Sequence, residues 1–286
     1  MRLGVVGISG DFRTLTSDEI DRIKVLEFTG LSFHFRSAEI PSVPPDAITR
    51  CVQMLEAAKL DLVQFGITYE ECLFHPDAAV REAGITSVQR GMATAVSLNA
   101  HHYLFRAGSL NPDGAWTSHR DNHLPESMER LIDTLKPIAE HAERHELTLV
   151  METHAVSIMD SPETCREVVE RVGSERLRIV MDFVNHFQTL RQVYESEARL
   201  NHIFDVMGPI APMAHIKDIS VQNGLVLHLN EEVPGEGELA LGVALKRFDA
   251  LYPDGYGLIE HLPTEKIPLA NANVRRIAAE NGVHIF

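Results

Sequence analysis

Glu152, Asp182, His215 and Glu260 are the residues with which this chain can do chemistry. Each closes a short apolar run: Leu149-Val150-Met151-Glu152, Ile179-Val180-Met181-Asp182, Met213-Ala214-His215 and Leu258-Ile259-Glu260. Three carboxylates and one imidazole form an oxygen-rich donor set. Brought together without a counter-ion, the carboxylates would repel one another and take up protons. A divalent cation removes that penalty. The set suits Mn²⁺ first, then Mg²⁺ or Co²⁺, and admits Zn²⁺, which more often takes further His or Cys. The expected cofactor is one divalent metal ion per chain.

The elements that must position these residues follow from their spacing. The steps between them are 30, 33 and 45 residues. That is about one strand plus one helix per step, as in an eight-fold β/α barrel. Apolar runs at 2–8, 31–36, 60–68, 103–106, 147–152, 177–182, 213–217 and 256–260 read as eight strands. Helical patterns alternate with them at 18–28, 47–59, 77–98, 125–146, from Pro162 onward, 190–207, 239–251 and 269–281. Ser17 reads as the N-cap of the first helix, and Ser161-Pro162-Glu163 opens the fifth. The predicted class is α/β, a (βα)8 TIM barrel, with residues 1–286 forming one domain. Residues 107–124 and 221–238 read as long loops.

In such a barrel the strand C-terminal ends share one mouth, and side chains alternate between its two faces. His34 and Arg36 then look inward, as does Arg106 with Leu104. His154 shares the inward face of Glu152, and Lys217 that of His215. Arg106 is placed either to anchor an anionic or hydroxyl-rich substrate or to pair with a rim carboxylate. His261 and Asp218 fall on the opposite faces and read as structural, Asp218 as a cap for the loop after it. Trp116, the only tryptophan, lies in a loop with His119, Arg120 and His123. That loop is a candidate lid or a contact between subunits of a homo-oligomer.

Composition narrows the class. Forty-one acidic residues against 26 basic ones give a net charge of −15. A duplex-binding protein needs a basic footprint, so nucleic acid is not an expected partner. No apolar run reaches the length of a membrane span, and the first residues enter a strand directly. A cytoplasmic protein without a membrane partner is the expectation. Cys51, Cys72 and Cys165 are scattered and form no C-x-x-C pair, so no disulfide framework is expected.

Further motifs accompany the four strand ends. They are E-x-H at Glu152-Thr153-His154, H-x-K-D at His215-Ile216-Lys217-Asp218, and G-x-G at Gly235 and Gly237 before an apolar helix. On these, and on Asp182 and Glu260, nearly the whole chain resembles the xylose isomerase-like sugar isomerase/epimerase superfamily, which also contains endonuclease IV. The resemblance implies a metal held by Glu152, Asp182, His215 and Glu260, and a keto-sugar or keto-polyol as small-molecule substrate. It implies an isomerase or epimerase in which Glu152 and Glu260 pass a proton through a metal-stabilised enediolate. A dehydratase or lyase acting on an inosose- or dehydroshikimate-like keto-polyol begins the same way.

Ketose 3-epimerases of that superfamily carry a His three residues after the strand-six Asp and an Arg six after the strand-seven His; Asn185 and Val221 stand there. His186 is offered in place of the first. The expected substrate contacts are His154, Lys217, Arg106, His186, His34 and Trp116. An endonuclease IV-type nuclease is opposed by Val226-Leu227-His228, which lacks a needed carboxylate, and by Arg106 where a ligand His would stand. A non-catalytic binding subunit is the remaining alternative, opposed by the intact Glu152 and Glu260.

Overall fold

A computed structural model describes residues 1–286. Its strands and helices, in chain order, begin with β1 (Arg2–Val5), α1 (Ser17–Val25), β2 (Gly30–Arg36), α2 (Pro45–Ala58), β3 (Asp61–Thr68) and α3 (Ala78–Ser97). The chain continues through β4 (His102–Arg106), α4 (Pro125–Arg144), β5 (Thr148–Glu152), α5 (Pro162–Val172) and β6 (Leu177–Met181). Next come α6 (Leu190–Tyr194), α7 (Ser196–Met207), β7 (Met213–Ile216), β8 (Asp218–Val221) and β9 (Leu229–Glu232). The chain closes with α8 (Leu241–Leu251), β10 (Tyr256–Ile259) and α9 (Ile267–Glu280). The parallel barrel runs β1-β10-β7-β6-β5-β4-β3-β2 and shuts through the β1–β2 pair.

Period-two patterning builds two apolar layers on this closed sheet. Leu3, Phe33, Phe65, Tyr103, Leu149 and Ile179 belong to the main core, together with buried residues of the surrounding helices. Val63, Leu104, Val150, Val180, Met213, Tyr256 and Leu258 form a separate interior cluster. Two residues beyond five of these stand Arg106, Glu152, Asp182, His215 and Glu260. The alternation that fills the barrel interior therefore also lifts the polar set to the rim, one pleat higher. At Gly30 an added Cβ would lie 2.4 Å from Val63 Cγ2 and 2.7 Å from Tyr256 Cε1; glycine makes room for those two side chains.

The elements depart from sequence expectation in three places. Thr16, not Ser17, caps α1, because Thr16 and Glu19 satisfy each other's backbone N–H groups in a capping box. The helix expected over 190–207 is two helices that meet at Glu195. The loop expected over 221–238 contains part of an antiparallel hairpin, β8–β9, which stands outside the barrel. No helix is long and apolar enough to cross a membrane.

Candidate active site

β5, β6, β7 and β10 bring Glu152, Asp182, His215 and Glu260 to one end of the barrel. One ligand-capable atom from each lies within 4.8 Å of the others. Asp182, His215 and Glu260 are at most 3 % exposed. Asp182 Oδ1 is buried without a hydrogen-bond partner, while Glu260 Oε1 lies 2.9 Å from His215 Nδ1 and 2.8 Å from Lys217 Nζ. Orphaned buried polar atoms are rare and call for an explanation.

The surroundings fit a metal. Gln64 Oε1 lies 2.9 Å from His215 Nε2 and accepts its proton, while the Gln64 amide donates to Ser32 Oγ at 3.1 Å. A proton on Nε2 leaves the Nδ1 lone pair facing the carboxylates, the arrangement usual for a metal-bound histidine. Asp182 divides its two oxygens. Oδ2 accepts from Lys217 Nζ at 2.7 Å and from Asn185 Nδ2 at 2.8 Å, and Oδ1 is left for a ligand. Without a cation a proton serves the same end. Burial alone would lower the His215 imidazole, but Glu260 and Asp182 outweigh it and hold it up at about 10.

A cavity of about 570 Å³ is lined by Glu152 and Glu260 of this set. Of the expected substrate contacts, His34, Arg106, Trp116, His154 and Lys217 line it. Trp116 packs tilted against His154 with ring centroids 5.8 Å apart. The His34 ring lies close over Gly66, where an added Cβ would fall 2.4 Å from its Cδ2. The His34 imidazole is accessible from the mouth, yet the surrounding protein lowers its pKa, chiefly by keeping water away. The Arg106 guanidinium lies over the Tyr69 ring, 4.7 Å from its centroid, and also donates to Tyr69 O.

Lys217 lines the cavity but is already engaged by carboxylates, and His186 sits elsewhere. Lys217 is 1 % exposed and its Nζ lies 2.8 Å from Glu260 Oε1, so its ammonium braces the carboxylates from below. His186 does not reach the cavity. It is fully buried, with Nε2 3.0 Å from Thr153 Oγ1, and Asn185 takes the lining position instead.

Other lining residues were not legible as site residues. His261, read as structural from the alternation, lines the cavity with Nδ1 3.1 Å from Glu231 Oε2. The pair with Glu231 is the larger influence on its pKa, which stands above the ordinary imidazole value. Glu231 comes from the unforeseen hairpin. Asp218 behaves as the cap it was read to be, accepting from the backbone N–H groups of Ile219, Gly235, Gly237 and Leu239.

A closed parallel barrel with a polar donor set at its strand ends defines a (βα)8 protein with a candidate metal centre. The chain belongs to the xylose isomerase-like TIM barrel family, which matches residues 20–280. No curated protein matches it by sequence. Among solved structures it is similar to 3-keto-D-glucoside 4-epimerase from E. coli, with TM-score 0.72, 13% identity and coverage of 96% of this chain and 99% of that one. The probable 3-DHS dehydratase from Bacillus anthracis gives 0.72 and 15%, with 97% and 99% covered. A xylose isomerase-like TIM barrel protein from Mycobacterium smegmatis, in complex with magnesium, gives 0.69 and 13%, with 98% and 96% covered. At these identities the likeness is one of fold.

Proposed function

We propose that the chain is a divalent-metal-dependent isomerase or epimerase of a keto-sugar or keto-polyol, working by proton abstraction next to the carbonyl. The observation that carries this reading is the convergence of Glu152, Asp182, His215 and Glu260 within 4.8 Å of one another, with Asp182 Oδ1 unpartnered and with Glu152 and Glu260 lining the cavity. A divalent ion held there supplies stabilisation for negative charge developing on a carbonyl oxygen. Glu152 and Glu260 come from strands three places apart around the barrel, so they approach the substrate from different sides. One takes the proton and the other returns it. Arg106, His34, His154 and Trp116 hold the hydroxylated body of the substrate, and the apolar face of Trp116 helps keep water from the reacting carbon.

The family and the E. coli epimerase support this reading. The equal TM-score to the B. anthracis probable dehydratase favours a second one, loss of a β-hydroxyl after the same proton abstraction. Mn²⁺-loaded protein in D₂O, screened over ketoses, keto-inositols and keto acids, tests both. Deuterium is expected beside the carbonyl of one class, and the product distinguishes rearrangement from dehydration. Glu152→Gln and Glu260→Gln should each lower the exchange rate by roughly 10²- to 10⁴-fold while the protein remains folded. Wild-type-like exchange in both variants sinks the proton-transfer assignment, and no exchange with any compound sinks the enzymatic one.

A further inference from the structure

Resting on that reading of the mouth, we infer that Glu231 and His261 form a further substrate-positioning pair that grips a neutral hydroxyl on the Glu260 side of the cavity. Neither belongs to the four-residue donor set. Glu231 lies on β9, opposite Ile219 of β8, in a hairpin that adds nothing to the barrel. What the hairpin does contribute is a carboxylate over the mouth. Its Oε2 sits 3.1 Å from His261 Nδ1 and 3.7 Å from Lys217 Nζ.

His261 lies two residues past the end of β10 and adopts φ 57°, in the left-handed region. That region is uncommon for residues with a Cβ. Such strain persists where the surroundings over-determine it, and it gathers at functional sites. Here it turns a residue that strict alternation would send outward back into the cavity. The Nδ1–H donated to Glu231 fixes the ring. Nε2 is left 3.7 Å from Glu260 Oε1, too far for a hydrogen bond, on a side chain that is 54 % exposed. The imidazole is thus oriented by one carboxylate, unengaged at its other nitrogen, and next to a residue assigned to proton transfer.

A hydroxyl fits this place because it can both donate and accept. A phosphate or carboxylate would meet Glu231 and Glu260 together, so an anionic substituent is disfavoured on this side. An apolar one would leave Nε2 without a partner. The substrate class that follows is a keto-polyol whose carbon nearest Glu260, beyond the reacting centre, bears a free hydroxyl.

The test uses Mn²⁺-loaded protein and reads three quantities: deuterium exchange against substrate concentration, Mn²⁺ affinity and Tm. Glu231→Ala and His261→Asn should each lower kcat/KM by roughly tenfold to hundredfold, with Mn²⁺ affinity and Tm close to wild type. Asparagine accepts the left-handed backbone, so His261→Asn removes the imidazole without disturbing the chain. Glu231→Gln, which keeps an acceptor for Nδ1–H, should recover part of the loss. His261→Gly should show the same kinetic loss with a higher Tm, because glycine relieves the positive φ. Wild-type kinetics in Glu231→Ala and His261→Asn overturn the pair, as does a tenfold weakening of Mn²⁺ binding or a lower Tm in His261→Gly. A wild type inert toward the whole panel overturns the proposed function and this inference together, whereas an active wild type with unaffected variants overturns this inference alone.

Discussion

Glu152 and Glu260 share one cavity but meet opposite fields. Burial, and then the charge of Glu260, push Glu152 up to about 7. Burial acts in the same direction on Glu260, but His215 and Lys217 outweigh it and hold that carboxyl well below its usual range. His186, just beneath, shows the reverse effect of burial on an imidazole. Exclusion of water lowers its pKa to about 4, and its Nδ1 has no hydrogen-bond partner. The folded pKa lies below the unfolded value, so its contribution is complete above about 6.5 and drains away as pH falls toward 4. The loss is on the order of 3 kcal/mol. Urea unfolding of wild type and His186→Gln at several pH values should show the difference between them shrinking by about that amount over this window. A constant difference would mean that His186 is not held neutral.

At the scale of elements, what was legible depended on regular pleating. Glu152, Asp182, His215 and Glu260 each follow an interior apolar residue at the strand period, so the same rule that predicts the strand predicts the rim residue. The rule stops where β10 ends. His261 lies past Ile259, and its positive φ cancels the alternation that had marked it as outward. The hairpin was illegible for a different reason. β8 and β9 are four residues each, the turn between them holds Gly224, and no residue of β9 is fully buried, which leaves no apolar period to read. Asp218 helps tie the hairpin to the 235–239 turn that leads into α8. Its carboxylate accepts from four backbone N–H groups in its own strand and in the 235–239 turn. Asp218→Ala would leave those donors without their acceptor, at roughly 1–3 kcal/mol for each one that stays buried. With two of the four bonds buried, a loss of at least about 2 kcal/mol is expected, with faster amide exchange in 229–239 than elsewhere. Uniform exchange in the variant would show that Asp218 does not anchor this segment.

At the scale of the molecule, barrel closure turns sequence distance into proximity. β1 pairs with both β2 and β10, the amino terminus donates to His284 O at 2.9 Å and Phe286 N–H donates to Met1 O at 3.2 Å, so the two ends of the chain are stitched together. The donor set is drawn from β5, β6, β7 and β10, so an ion bound there would cross-link four staves of the barrel and relieve the repulsion among three carboxylates. Folded protein offers that geometry and the unfolded chain does not. Binding at 100 times the dissociation constant is then worth about 2.7 kcal/mol. For a chain of this size that corresponds to a rise in Tm of roughly 5 °C. Chelator-treated protein should regain this rise on addition of Mn²⁺, and Asp182→Asn should lose most of it. Metal analysis of protein never exposed to chelator should find about one divalent ion per chain, as the four-ligand set requires. Three zinc ions would instead point to nuclease chemistry. An unchanged Tm, with no metal detected, would mean that Lys217 and a proton on His215 satisfy the carboxylates unaided, and the case for a metal centre would fall.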